Sequence, residues 1–486
     1  MSSRPATTGP VSAKAVVDRE LSPVERWYWI ADQLSPLTVI GRVRVHATIA
    51  GPVLRAALDA VQRRHPLLQV AIRADEDGRH PRYVPTDRPV PLREPTAAGP
   101  DDADSWVRWC NEHELVDPID RHTGPLARAT ALTIGGDAPP AVDLIIALPH
   151  GVADGTTVLA LVRQWAQQCA RLAAGPDDGA APPPLGPAAA ASAWSPARER
   201  ALPPPDDLLP EPHRGAAGAA VLQAKQERDE RDVGLYRPAR FEPGRYVPFE
   251  RRRTGLIHRE LSADQLTALA DACRREGTTV HGALVAALAG AVAAERSDVV
   301  YLMIGSPIDF RGALEPPVGP DEVGTYVATV PSLVDCRPTA TVWDRARSVS
   351  ADVARRRDLG EHLALVNLVR GGCPPTVAEG RPFLEFMEQT SPINLCVSNV
   401  GRYDLPDRLG DWALSGAQFV TGLSVNGYFV ATVTTSGGRL FWNFTYVREA
   451  VDEQRAVALV DTCLHTLLTA LAAARTEQED THVDQS

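Results

Sequence analysis

The apolar run Leu144-Ile145-Ile146-Ala147-Leu148-Pro149 delivers one histidine, His150, to its end, and Gly151-Val152-Ala153-Asp154-Gly155 follows. An imidazole in that place can accept a proton near neutral pH, because its unperturbed pKa lies close to working pH. A strand would fix the ring, and a glycine-containing turn would let a substrate reach it. The alternative is a hydrogen-bonded structural histidine at a strand end. Asp154 precedes Gly-Thr-Thr-Val at the start of a helical pattern, so it reads first as an N-cap, worth about 1 kcal/mol, and second as a participant in chemistry. Gly155 permits close backbone approach.

Further polar residues interrupt apolar surroundings in the second half. Asn394, Ser398 and Asn399 form one group, and Thr421, Ser424 and Asn426 another. Buried polar groups need partners, so each group either lines a channel or satisfies a turn. His46, His65, His122, His281 and His362 lack metal-ligand spacing, and no metal site is expected. The triplets Arg251-Arg252-Arg253 and Arg355-Arg356-Arg357 read as solvent-facing charge, with attraction of a phosphate or an acidic partner as the alternative.

The elements that must position these residues read as a mixed α/β pattern. The first half carries strands at Val43–Ile49, Gln69–Ile72, Arg82–Val84, Ala127–Ile134 and Val142–Leu148. Helices are predicted at Val53–His65, Ser105–His113 and Thr156–Leu172. The second half has strands Thr254–Leu261, Val299–Gly305, Ile393–Val397, Phe429–Thr435 and Leu440–Tyr446. Its predicted helices are Ala263–Glu276, Val280–Glu295, Trp343–Arg357 and Glu453–Ala473. Between the halves lies a Pro- and Ala-rich stretch with Pro182-Pro183-Pro184 and Pro203-Pro204-Pro205. It reads as a long crossover without a compact core, either a lid or a linker, with one polar helix near Leu222–Arg231. The expected division is 1–18 disordered, 19–172 first lobe, 173–253 crossover, 254–475 second lobe and 476–486 acidic tail.

The chain has 486 residues, 44% of them hydrophobic, and a formal charge of −11. That length suits two domains, and that charge argues against electrostatically driven nucleic-acid binding. No apolar run approaches the length of a membrane span, and no secretory signal is evident. Seven cysteines without a C-x-x-C pair suggest reduced thiols and a cytoplasmic setting.

The His150–Gly155 segment resembles the H-H-x3-D-G motif of the superfamily of condensation domains, polyketide-associated acyltransferases, wax-ester synthases and alcohol acetyltransferases. It is more distantly similar to chloramphenicol acetyltransferase. His150, Asp154 and Gly155 match the second His, the Asp and the Gly, while Pro149 replaces the first His. Other stretches resemble the same superfamily in the expected order. They include Leu21-Ser22-Pro23-Val24-Glu25-Arg26-Trp27, His65-Pro66-Leu67-Leu68 and Gly124-Pro125-Leu126-Ala127-Arg128. Thr278 to Leu284, Asp309-Phe310-Arg311 and Ser398-Asn399-Val400-Gly401 continue the series.

The resemblance implies an α/β (α+β) fold of two chloramphenicol-acetyltransferase-like lobes, forming a V-shaped pseudo-dimer around a central tunnel. It implies His150 as general base, with Asp154 turned from substrate and paired to an arginine, here Arg311. Gly151, Ser398, Asn399, Thr421 and Ser424 then become candidates for oxyanion or channel groups. The donor it implies is a thioester of coenzyme A or of phosphopantetheine on a carrier protein, and the acceptor a small-molecule hydroxyl or amine. Asp309-Phe310-Arg311 leans toward the alcohol O-acyltransferase branch. The alternatives are an inactive carrier-protein binding platform, made live by Pro149, and a His-dependent cyclase or epimerase on a carrier-bound chain.

Overall fold

A computed structural model describes residues 16–97, 104–135, 140–175, 202–423, 425 and 427–483. The expected disorder at 1–18 falls almost wholly outside these residues, as do the 182–184 proline run and Ser424. In chain order the first half contains β1 (Arg19–Glu20), α1 (Pro23–Leu34), β2 (Thr38–His46), α2 (Gly51–Arg64), β3 (Val70–Arg73), β4 (Arg82–Pro85) and β5 (Leu92–Arg93). Then come α3 (Ser105–Trp109), β6 (Arg128–Ile134), β7 (Ala141–Pro149) and α4 (Gly155–Ala173). The crossover contributes α5 (Gly215–Tyr236). The second half contains β8 (Thr254–Leu261), α6 (Ala263–Arg275), α7 (Val280–Glu295), β9 (Tyr301–Asp309), β10 (Val327–Asp335), α8 (Val342–Asp358), α9 (Glu361–Gly372) and α10 (Val377–Thr390). It ends with β11 (Ile393–Arg402), β12 (Arg408–Leu409), β13 (Trp412–Thr421), β14 (Phe429–Ser436), β15 (Arg439–Val447) and α11 (Glu453–Val483).

These strands build two six-stranded sheets, ordered β12-β13-β2-β7-β6-β5 and β10-β9-β11-β14-β15-β8, and a small sheet β1-β4-β3. The strand β7 is buried along its whole length. Successive side chains alternate across a strand, so Leu144, Ile146 and Leu148 enter one core while Ile145 and Ala147 enter another. Cover on both faces is why this strand reads as a continuous apolar run. Neighbouring β2 begins at Thr38 and ends at His46, earlier than the alternation at Val43–Ile49 suggests, because it too is covered on both faces. Gly41 lets α4 lie directly on it, since a Cβ there would stand 2.5 Å from the carbonyl oxygen of Val158.

The first sheet is completed by the second half. Strand β13 pairs antiparallel with β2, with an irregularity between Ser415 and Gln418 where Gly416 takes a positive φ of 65°. It also meets the second sheet: Phe419 O accepts from Thr432 Oγ1 at 2.9 Å and from Asn443 Nδ2 at 3.1 Å. The two sheets are therefore stitched together by one strand. Helix α7 is buried almost all round, as its Ala-, Val- and Leu-rich composition demands.

Four expectations need correction. The crossover was expected to lack a core, yet Leu208 and Leu209 are buried with Val24, Phe310 and Tyr326. Phe241 and Val247 join the main core of the second half. The arginine triplets were expected to face solvent, but each sends its middle residue inward. Arg252 is buried against Glu388 at 2.9 Å, and Arg356 against Asp229 and Glu361, each at 2.8 Å. A buried guanidinium is tolerable only with such partners. Lastly, the Glu453–Ala474 part of α11 is long and apolar enough by composition to cross a membrane. Its stripe of Ala456, Leu459, Val460, Cys463, Leu467 and Leu471 is packed into the second core. Residues 476–483, expected as an acidic tail, continue this helix.

Because the obstacle at Gly41 is helix backbone, Gly41→Ala should cost about 1–3 kcal/mol in denaturant unfolding. Gly371→Ala, where a Cβ meets nothing within 4 Å, should change stability by about 0.5 kcal/mol or less.

Candidate functional site

His150 stands at the mouth of β7 and is held from two directions. Its backbone N–H donates to Leu37 O at 2.8 Å, and its carbonyl accepts from the Thr325 hydroxyl. The ring of Tyr28, on α1, stacks on the imidazole with centroids 4.6 Å apart and planes 19° apart. Protein encloses His150, leaving it partly exposed, and Nδ1 is buried without a hydrogen bond. Burial pushes the imidazole pKa down. The nearby carbonyls of His150 and Ala153, together with the Asp154 and Asp32 carboxylates, oppose that shift without cancelling it. The ring is consequently neutral at neutral pH, the form in which an imidazole accepts a proton.

Asp154 caps α4 and is fully engaged. Oδ1 accepts from Thr157 N and from Arg311, both at 2.9 Å. Oδ2 accepts from Arg311 and from Tyr326 N, both at 2.8 Å. Burial alone would raise the Asp154 pKa, but the Arg311 guanidinium and these hydrogen bonds hold it below the ordinary carboxylate range. No lone pair is left for substrate, so Asp154 shapes the loop. Arg311 also donates to Thr157 Oγ1 at 2.8 Å and to Asp309 at 2.9 Å, and lies 4.5 Å over the Tyr326 ring. Farther along α4, Arg163 pairs with Asp321 and donates to Tyr403 Oη at 3.1 Å. The segment 309–326 thus grips the N-terminal half of α4, carrying second-half residues onto the first-half loop.

The other candidate residues fall into place unevenly. A Cβ on Gly155 would stand 2.7 Å from the Phe419 ring, while at Gly151 it would find Tyr28 at 3.4 Å. Asn399 Oδ1 accepts from Gly401 N at 2.8 Å, a local turn, and Thr421 Oγ1 donates to Gly422 O at 3.2 Å. Ser398 is half-buried on β11 opposite Thr432. Neither Asn399 nor Thr421 is directed to His150 by these bonds, and Ser424 lies outside the described residues. Asn394 is occupied with the backbone of Phe241, at 2.7 and 3.1 Å. Among the described residues no His, Cys, Asp or Glu cluster fits a metal ion.

Sequence reasoning missed Tyr28, Asp32 and Thr325. The available signal was Asp32 itself, a carboxylate directly after the apolar stretch Trp27-Tyr28-Trp29-Ile30-Ala31.

Solved structures share this fold at low sequence identity. The starter condensation domain of rhizomide synthetase, in complex with C8-CoA, superposes with a TM-score of 0.59 at 15% identity over 94% of this chain and 95% of that one. Polyketide synthase associated protein 5 from Mycobacterium tuberculosis gives 0.61 at 17% identity, covering 94% and 99%. The epimerization domain from the third module of tyrocidine synthetase B gives 0.59 at 15%, covering 95% and 99%. The chain therefore shares the fold of these condensation and epimerization domains and of that polyketide-associated protein. Within its second half, residues 251–410 match the family described as phthiocerol/phthiodiolone dimycocerosyl transferase C-terminus. No curated protein matches the chain, and these comparisons do not single out the alcohol O-acyltransferase branch.

Removing one partner of a buried ion pair strands the other, so Arg311→Ala should lower unfolding free energy by about 3–5 kcal/mol. Arg311→Lys, lacking the planar fork, should recover only part of it. Because the Asp154 pKa is lowered on folding, its contribution is present above the unfolded carboxylate pKa and fades as pH falls through the folded one. The stability gap between wild type and Asp154→Asn should accordingly shrink on acidification.

Proposed function

We propose that this chain acts on acyl or peptidyl groups held as thioesters, with His150 as the group that moves the proton. The observation that carries this reading is the imidazole at the end of β7, partly exposed and fixed by contacts from both halves of the chain, with burial keeping its pKa below the ordinary value. A neutral imidazole can take the proton of an attacking hydroxyl or amine while the acyl–sulfur bond breaks, and positioning of the two reactants supplies much of the rate. The donor would be a thioester of coenzyme A or of a carrier-protein phosphopantetheine arm, used as co-substrate. The structure of a starter condensation domain with C8-CoA, which shares this fold, supports that choice. The free state of the seven cysteines supports an intracellular setting.

Condensation and epimerization domains among the proteins of this fold favour a carrier-borne chain over a free alcohol as the partner in the reaction. A second reading therefore has weight: the same His150 would act on a carrier-bound chain by epimerisation or cyclisation. Pro149 at the first-histidine position supports a third, a binding platform without chemistry. Against the platform stands the intact support of the loop by Asp154 and Arg311.

Thiol release from a panel of acyl-thioesters, offered with pooled alcohols and amines, distinguishes these readings. Acceptor-dependent release that His150→Ala reduces by about 100-fold or more is the expected outcome. Release that is unchanged in that variant would remove His150 from the mechanism. No release, together with altered product from a carrier-bound chain, would favour the second reading, and binding without any product the third.

A further inference from the structure

A second carboxylate outside the motif, Asp32, shares a pocket with Pro149 and Gly151, the residues on either side of His150. Asp32 sits one helical turn after Tyr28 on α1, so the two side chains leave the same face of the helix. Tyr28 stacks on the imidazole. Asp32 Oδ1 accepts from Leu37 N at 2.9 Å, and the carbonyl of the same Leu37 accepts from His150 N at 2.8 Å. One residue therefore links the Asp32 carboxylate to the backbone of His150. Tyr28, Asp32, Pro149 and Gly151 line one narrow pocket, with Arg121 at its edge.

The charges around His150 are unequal. Asp154 faces it from α4 but is neutralised by bidentate Arg311. Asp32 faces it from α1 with looser compensation, since Arg121 approaches the carboxylate only to 3.3 Å. Thr325 hydrogen-bonds the His150 carbonyl and leaves the ring alone. An asparagine would serve the turn at Leu37 equally well through its amide oxygen. A buried carboxylate costs more than an amide: burial pushes the Asp32 pKa up, against the pull of Arg121 and the Leu37 N–H.

We infer that Asp32 is a positioning residue for His150. Its carboxylate fixes the turn that holds the His150 backbone, and its negative charge keeps the imidazole basic enough to take a proton inside an enclosed loop. Pro149, standing where the family motif has its first histidine, offers no side-chain polar group for that work. The consequence for catalysis rests on the role proposed above for His150, but the physical coupling does not.

The test uses the full chain labelled with 15N-histidine, the His150 resonance being assigned by its loss in His150→Gln. Removing a nearby negative charge disfavours the imidazolium, so in Asp32→Asn the His150 titration midpoint should fall by about half a pH unit or more. The resonances of His65 and His281 should stay in place. An unmoved His150 midpoint in the folded variant would overturn the inference. Should Asp32→Asn not fold, wild type labelled at the Asp carboxyl carbons replaces it, with Asp32 assigned through Asp32→Glu. Its resonance should then show an inflection at the His150 midpoint that vanishes in His150→Gln, and absence of that inflection overturns the inference equally.

Where a thioester substrate turns over, the acid limb of kcat/KM should move to lower pH in Asp32→Asn, with kcat falling more than KM changes. A uniform loss with the limb unmoved would reduce Asp32 to a purely structural part. If no substrate turns over while the midpoint shifts, the coupling stands and the proposed function fails.

Discussion

The ion pair between Arg311 and Asp154 is the constraint on which the rest of the site depends. It is buried, bidentate and formed between residues far apart in sequence, one after β9 and the other at the cap of α4. Such a pair adds little net stability compared with a well-packed apolar substitute, but it strongly penalises any geometry that separates its members. Here that penalty fixes the loop from His150 to Gly155 against the segment 309–326. With that contact made, Thr157 reaches Gly324, Tyr326 N reaches Asp154, and Thr325 reaches the carbonyl of His150. The position of the imidazole is thus set jointly by both halves of the chain.

A second consequence concerns electrostatics. A carboxylate that stayed uncompensated next to His150 would keep the ring charged, and a ring with no carboxylate nearby would be a weak base in so enclosed a place. The structure takes an intermediate course. Arg311 quenches the carboxylate at the helix cap, while the one on α1 is compensated less closely by Arg121. Burial remains the dominant influence, and the imidazole stays below its ordinary pKa. Stacking by Tyr28 leaves one face of the ring covered, which restricts the directions from which a reactant can approach.

Much of this was legible in the amino-acid sequence, for a local reason. His150, Asp154 and Gly155 interrupt an apolar strand and open a helix within a few residues, so their spacing survives any rearrangement elsewhere. Arg311 became legible only through resemblance, since nothing in Asp309-Phe310-Arg311 states its partner. Strand β13 was missed because Gly416 breaks its alternation and because its neighbour β2 lies in the other half. Leu208 and Leu209 were hidden in a proline-rich composition that reads as linker. Tyr28 and Asp32 were missed because no helix was read over Pro23–Leu34, and periodicity alone does not say which face of α1 meets the strand end. Arg252 and Arg356 misled for the converse reason: their partners, Glu388, Asp229 and Glu361, are distant in sequence or sit on other helices.

The central claim is that the His150 imidazole does the proton transfer. The pH dependence of kcat/KM on the best thioester substrate tests it most directly, because that quantity reports the ionisation of the free enzyme. With His150 held below its ordinary pKa of 6.5 by burial, the profile should be flat through neutral pH and fall along one acid limb with its midpoint below 6.5. A limb centred above 6.5, or a profile with no acid limb at all, would contradict the account.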